Sequence, residues 1–111
     1  MSAASVRQEE FNNKILASLP PEEFAELAPL LDAVGLEIGD RLYDVGEVIH
    51  HVHFVDSGLL SLLSTLEDGT SIEVGALGRE GLGGLSVLLG SDKAGRMGLT
   101  QVSGTAFRMK T

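Results

Sequence analysis

The chain contains no cysteine. That excludes disulfide staples, iron–sulfur ligation and thiol catalysis, and it fits a reducing compartment, here read as the cytoplasm. Tryptophan is also absent, and there are only one tyrosine and four phenylalanines. Leu, Val and Ile must therefore fill most of any core. No apolar run approaches the roughly 20 residues that a membrane-spanning helix needs. The opening, MSAASVRQEEF, lacks the apolar stretch of a signal peptide. Positive charge is scarce: the formal net charge is −8. Residues 1–56 carry all of that excess, while residues 57–111 balance. A basic footprint for nucleic acid is missing, so this segment is not expected to bind DNA or RNA itself.

What remains is sufficient for one small domain. The 111 residues are 43% hydrophobic, an ordinary share for a globular core. Residues 1–6 read as a disordered end. From Arg7 to Leu19, the apolar residues Phe11, Ile15, Leu16 and Leu19 fall on one helical face. Pro20 and Pro21 end that helix and open another, where Glu22, Glu23 and Glu26 favour the positive end of its dipole. Phe24, Leu27, Leu30 and Leu31 form its buried stripe. Pro29 predicts a break near Ala28.

After Val34 the apolar period changes to two. Strands are expected over residues 41–45, 48–55, 59–67, 70–77, 98–103 and 105–110. Turns are expected at Gly39, at Gly46, over residues 56–58 and at Asp68 and Gly69, the last a strong hairpin signal. Short strands so spaced indicate a mainly β, antiparallel jelly-roll sandwich preceded by helices.

Glycines at 78, 81, 83 and 84 precede the apolar residues Leu85, Val87, Leu88 and Leu89. A glycine turn feeding a short helix presents free N–H groups to an anion. Arg96 follows a short loop later. From spacing alone the stretch reads first as a glycine-rich connection to a small core helix, with a phosphate cradle as the alternative. His50, His51 and His53 are the only histidines. On a strand, His51 and His53 share a face and offer two metal ligands. The Gly46 and HVH pattern is similar to the start of a cupin metal motif. Asp56 stands where that motif has a glutamate, and no later histidine exists. No serine has a nucleophile-elbow context.

The chain resembles the sensor domain of Crp/Fnr-type bacterial transcription regulators over residues 11–109. The segments that carry the resemblance are LASLPPEEFAELAPLL, LYDVGEVIHHVHFVDSGLLSLL, EDGTSIEVGALGREGLGGLSVLLG and Arg96. It implies a helical opening, an eight-stranded jelly roll and a phosphate-binding cassette after the GREG stretch. Nucleotide-binding members read Phe-Gly-Glu-Leu/Ile-Ala/Gly-Leu there, then Arg-Ser/Thr-Ala. The positions here are Leu82, Gly83, Gly84, Leu85, Ser86 and Val87, then Arg96, Met97 and Gly98. Gly84 replaces the glutamate that in the family accepts the ribose 2′-hydroxyl. The missing bond is worth about a ten- to hundredfold loss of affinity. Met97 removes the hydroxyl beside the phosphate.

The resemblance thus implies a non-enzymatic, effector-sensing domain with a degenerate cyclic nucleotide pocket. The expected ligand residues are Gly83, Gly84, Leu85, Ser86, Arg96 and Met97. A small anionic or nucleotide-like effector is the expected partner, with no resident cofactor. The resemblance also implies a dimerisation helix and a helix-turn-helix domain beyond this segment, through which a homodimer would reach DNA. The alternatives are a cupin-like metal enzyme on His51, His53 and Asp56, and an interaction module that binds nothing.

Overall fold

The computed structural model describes residues 7–84 and 93–111. The chain is mainly β and antiparallel, with short helices before the sheet. A single 3₁₀ turn, Gln8–Glu10, precedes α1 (Lys14–Ser18) and α2 (Pro21–Leu27), and a second, Ala28–Leu30, follows them. The strands are β1 (Asp32–Leu36), β2 (Arg41–Tyr43), β3 (His51–Thr65), β4 (Ser71–Leu77), β5 (Leu82–Gly83) and β6 (Met97–Lys110).

The first helix is shorter than its apolar period predicts. Asn13 interrupts it. Its side-chain oxygen accepts from the N–H groups of Ile15 and Leu16, which makes it the N-cap of α1. Asp56 holds the preceding backbone, accepting from Asn12 N at 2.8 Å and Asn13 N at 3.2 Å. A local pattern cannot register a carboxylate 44 positions away. The second helix starts at Pro21 with Pro20 as its N-cap, and it gives way to a 3₁₀ turn at Ala28, as Pro29 requires.

Two long strands build the sheet. The order is β1-β6-β3-β4, with β2 on β6 and β5 on β3. The turn expected over residues 56–58 is instead a bend inside β3, so two expected strands are one. β6 likewise joins residues 98–103 to 105–110. Both bends lie where the β3–β6 register shifts, between Val55 and Leu60. Gly58 sits there at φ +88°, with the backbone of Val102 and Gly104 against it, and Gly104 meets the Ser57 carbonyl. Neither close approach leaves room for a side chain, so the two glycines let the paired strands fold over together. The hairpin at Asp68 and Gly69 forms as expected. Gly69 has φ +88°, and Asp68 Oδ1 accepts from Thr70 N and Oγ1.

The two faces of the long strands carry different cores. On one face, Val52, Phe54, Leu82, Phe107 and Met109 pack beneath Phe11, Leu16, Phe24 and Leu31 of the segment before the sheet. The Phe11 ring meets Phe24 edge-on and leans on Phe107. On the other face, Leu36, Leu60 and Ala106 are buried together. A third, smaller cluster joins Tyr43, Ile49 and Ala94. No helix among the described residues is long and apolar enough to cross a membrane.

Candidate functional site

The glycine-rich stretch enters the sheet at β5, where Gly83 lies opposite His53 and Leu82 opposite Phe54. Gly84 follows in the left-handed region, φ +89°. Only glycine adopts that conformation without strain. The other half of the site starts from Ala94, held to the loop before β3 by Ala94 N to Glu47 O (2.9 Å) and Gly46 N to Ala94 O (2.8 Å). Arg96, two residues on, is exposed. Met97 begins β6 half-buried, opposite Leu63, and Gly98 is buried opposite Leu62 and Tyr43. Leu85 and Ser86, and the short helix expected after Gly84, lie outside the described residues.

The two halves meet on a residue that the sequence did not single out. Tyr43, the last residue of β2, is buried, and one edge of its ring runs along three glycines. A β-carbon on Gly98 would lie 3.0 Å from Cδ2, one on Gly83 3.1 Å from Cε2, and one on Gly84 3.2 Å from Oη. All three are tighter than ordinary van der Waals contact. A β-carbon at any of these positions would require its neighbours, the ring among them, to give by a few tenths of an ångström. Tyr43 was legible only as the chain's single tyrosine in a run that alternates like a strand.

The Tyr43 hydroxyl is anchored at its far end. It lies 3.0 Å from the His51 carbonyl and 2.6 Å from His53 Nδ1. The arrangement that satisfies all three groups has the hydroxyl donate to His51 O and accept from Nδ1–H of a neutral His53. Burial pushes the Tyr43 phenol well above its ordinary pKa. Burial above all, and then the nearby His51 and Arg108, lower the His53 pKa to about 4. His53 is therefore neutral at physiological pH.

His51 and His53 do share a face, with ring centroids 6.4 Å apart. Their surroundings are cationic: His53 lies opposite Arg108 on β6, and His51 opposite Lys110. Tyr43 engages one nitrogen of His53. Asp56, the third candidate ligand, is instead committed to the backbone of Asn12 and Asn13. Among the described residues, no group of three His, Cys, Asp or Glu side chains is placed to hold a metal ion.

Asn13 connects this region to the helices. Its side-chain nitrogen donates to Val55 O at 2.6 Å and to Gly81 O at 2.9 Å, while Lys14 N donates to Arg79 O at 2.7 Å. The start of α1 is thereby fixed to the segment that leads into Gly83 and Gly84. Two buried polar atoms lack a hydrogen-bond partner among the described residues, Thr100 Oγ1 and Arg108 Nε. Thr100 lies two residues beyond Gly98 on β6, on the same side of the strand.

No protein-family model and no curated protein matches the sequence. Solved structures do match its fold. The regulatory subunit of a cAMP-independent protein kinase A from Trypanosoma brucei aligns at TM-score 0.82 and 21% identity, over 99% of this chain and 42% of that one. A cyclic nucleotide-binding-like protein from Brucella abortus aligns at TM-score 0.71 and 18% identity, over 87% of this chain and 83% of that one. The sensor domain of the transcriptional regulator DNR from Pseudomonas aeruginosa aligns at TM-score 0.71 and 18% identity, over 83% and 62%. The chain thus spans less than half of the kinase regulatory subunit.

Proposed function

We propose that this chain, a domain of the cyclic nucleotide-binding-like fold, is the effector-sensing domain of a Crp/Fnr-type transcription regulator and has a degenerate nucleotide pocket. The role is regulatory and not catalytic. The domain would act in the cytoplasm, as part of a homodimer that reaches DNA through a helix-turn-helix domain. Gly83, Gly84, Leu85 and Ser86 would line the anion's approach, with Arg96 as its counter-charge and Met97 beside it.

One observation carries the reading most directly. The glycines at 83 and 84 and the start of β6 after Arg96 converge on the same ring, Tyr43. That brings Gly83 and Gly84 close to Gly98 at the start of β6 and supports the reading. Further support comes from the matched structures, whose names describe a kinase regulatory subunit and a regulator's sensor domain. An effector that prefers one of two states of such a domain would bias an attached DNA-binding unit.

Calorimetric titration of the chain with inorganic phosphate, cyclic AMP and cyclic GMP, at two salt concentrations, tests this. The expected result is weak, salt-screened binding of phosphate that is lost in Arg96→Ala. Cyclic nucleotides are expected to bind no better than weakly. Absence of any anion response in the wild-type chain would favour an interaction module without a ligand.

A further inference from the structure

We infer that the groove beside α2 is a docking site for a cationic amphipathic helix of a partner protein. The site lies apart from the cassette and does not depend on the sensor reading.

The helical opening builds the groove. Leu19, Glu23, Glu26, Leu27 and Leu30 line a volume of about 340 Å³. Leu19 and Leu27 are half-buried and pack against the core beneath the helices. Leu30, in the 3₁₀ turn after α2, is 60% exposed, so the apolar lining runs from the core out into solvent. Glu23 and Glu26 are exposed beside it. Neither carboxylate belongs to an ion pair among the described residues, where Arg7 pairs with Glu9 and Glu10 and Arg41 with Asp44.

Spacing and charge define the occupant. Glu23 and Glu26 are three residues apart on α2, which sets their β-carbons about 5–6 Å apart. Leu27 and Leu30 repeat that spacing. The result is an acidic row beside an apolar one. A partner helix with apolar residues at i, i+3 and i+4, and lysine or arginine on the flanking positions, meets both rows at once. The leucines supply the burial, and the two carboxylates gain counter-charges that this chain does not provide. Like charges at this spacing also repel each other, and a cation beside them offsets that cost.

The same charge disfavours other occupants. A second copy joined through this face by a two-fold axis would set Glu23 and Glu26 against themselves. All of the net charge of −8 lies in residues 1–56, so an anionic lipid surface is repelled as well.

Fluorescence anisotropy with a labelled synthetic helix tests the site. Its leucines recur at i, i+3, i+4 and i+7, and lysines fill the flanking positions. The wild-type chain is expected to bind it and to ignore a peptide of the same composition in scrambled order. Leu30→Asp and the double variant Glu23→Lys with Glu26→Lys are each expected to weaken binding at least about tenfold. The double variant should instead take up a peptide with glutamate in place of lysine. A control pair, Glu37→Lys with Glu47→Lys, changes the net charge equally at exposed positions outside the groove. It is expected to bind nearly as the wild type does. All the substituted side chains are exposed, and cooperative melting checks that each variant is folded.

No binding by the wild-type chain would overturn the inference, and so would equal binding of the scrambled peptide. An equal loss in the control pair would reduce the site to net charge and overturn it too. None of these outcomes bears on phosphate binding at Arg96, so the docking site and the sensor reading fail separately.

Discussion

The hydroxyl of Tyr43 lies 3.2 Å from the point at which a β-carbon on Gly84 would begin. The two positions are coupled: a side chain at 84 and the ring at 43 claim one space. Gly84 is also the position at which nucleotide-binding members of the resembled family carry glutamate. Reversing that replacement therefore requires the ring or Val52 to give by a few tenths of an ångström.

Gly84→Glu is accordingly expected to destabilise the chain and to give no gain in cyclic AMP affinity. The backbone at φ +89° costs a non-glycine residue about 1–3 kcal/mol. Contacts with Tyr43 Oη and Val52 Cγ1, both 3.2 Å from the new β-carbon, add to that. Urea denaturation measures the loss, and a variant as stable as the wild type would show that the ring yields freely.

Acid should weaken the fold through His53. Its folded-state pKa, about 4, lies below the ordinary 6.5. Between those values the unfolded chain binds more protons, so stability falls as pH drops. The contribution is intact above pH 6.5 and gone near pH 4, a total of about 3 kcal/mol. Denaturation midpoints across that window check the slope. His53→Leu is expected to flatten it, and an unchanged slope would place the titration elsewhere.

Asn13→Ala removes the cap of α1 and leaves the carbonyls of Val55 and Gly81 without that partner. Loss of a cap costs about 1 kcal/mol, and each buried carbonyl left unpaired about 1–3 kcal/mol more. A drop of at least about 3 kcal/mol in denaturant stability is expected. Hydrogen exchange should also quicken around Gly81, because the same side chain fixes that segment. A loss confined to the helix would show that the link to the cassette carries little.

Purified chain is expected to hold no stoichiometric zinc, iron or nickel. Two histidines share a face, but Tyr43 engages one and Asp56 is turned to the helix backbone. Arg108 and Lys110 lie opposite them and repel a cation. Elemental analysis finding about one tightly held metal per chain, lost in His51→Ala, would revive the cupin-like alternative.

Much of the fold follows from local patterns. The period of two after Val34, the glycine and aspartate turns and the paired prolines are short-range signals. They place the helical opening, the Asp68 hairpin and most strands within a few residues. The same locality explains the errors. Asp56, Ser57 and Gly58 have turn chemistry, and only pairing with β6 makes them a bend within one strand. Asn12 and Asn13 break a helical period because Asp56 reaches them from β3.

For the candidate site, sequence alone determined the glycine positions, the exposed-type cation Arg96 and the histidine pair, since these are matters of residue type and spacing. It could not determine Tyr43. A tyrosine in a short alternating run is one more strand residue until β2 is laid against β6 and β5 against β3. Those pairings bring Gly98, Gly83 and Gly84 to one edge of the ring and His51 and His53 to its hydroxyl. Each of these contacts joins segments distant in the chain. Steric fit and hydrogen-bond satisfaction between them exist only after folding, so tertiary structure alone decided what the glycines surround.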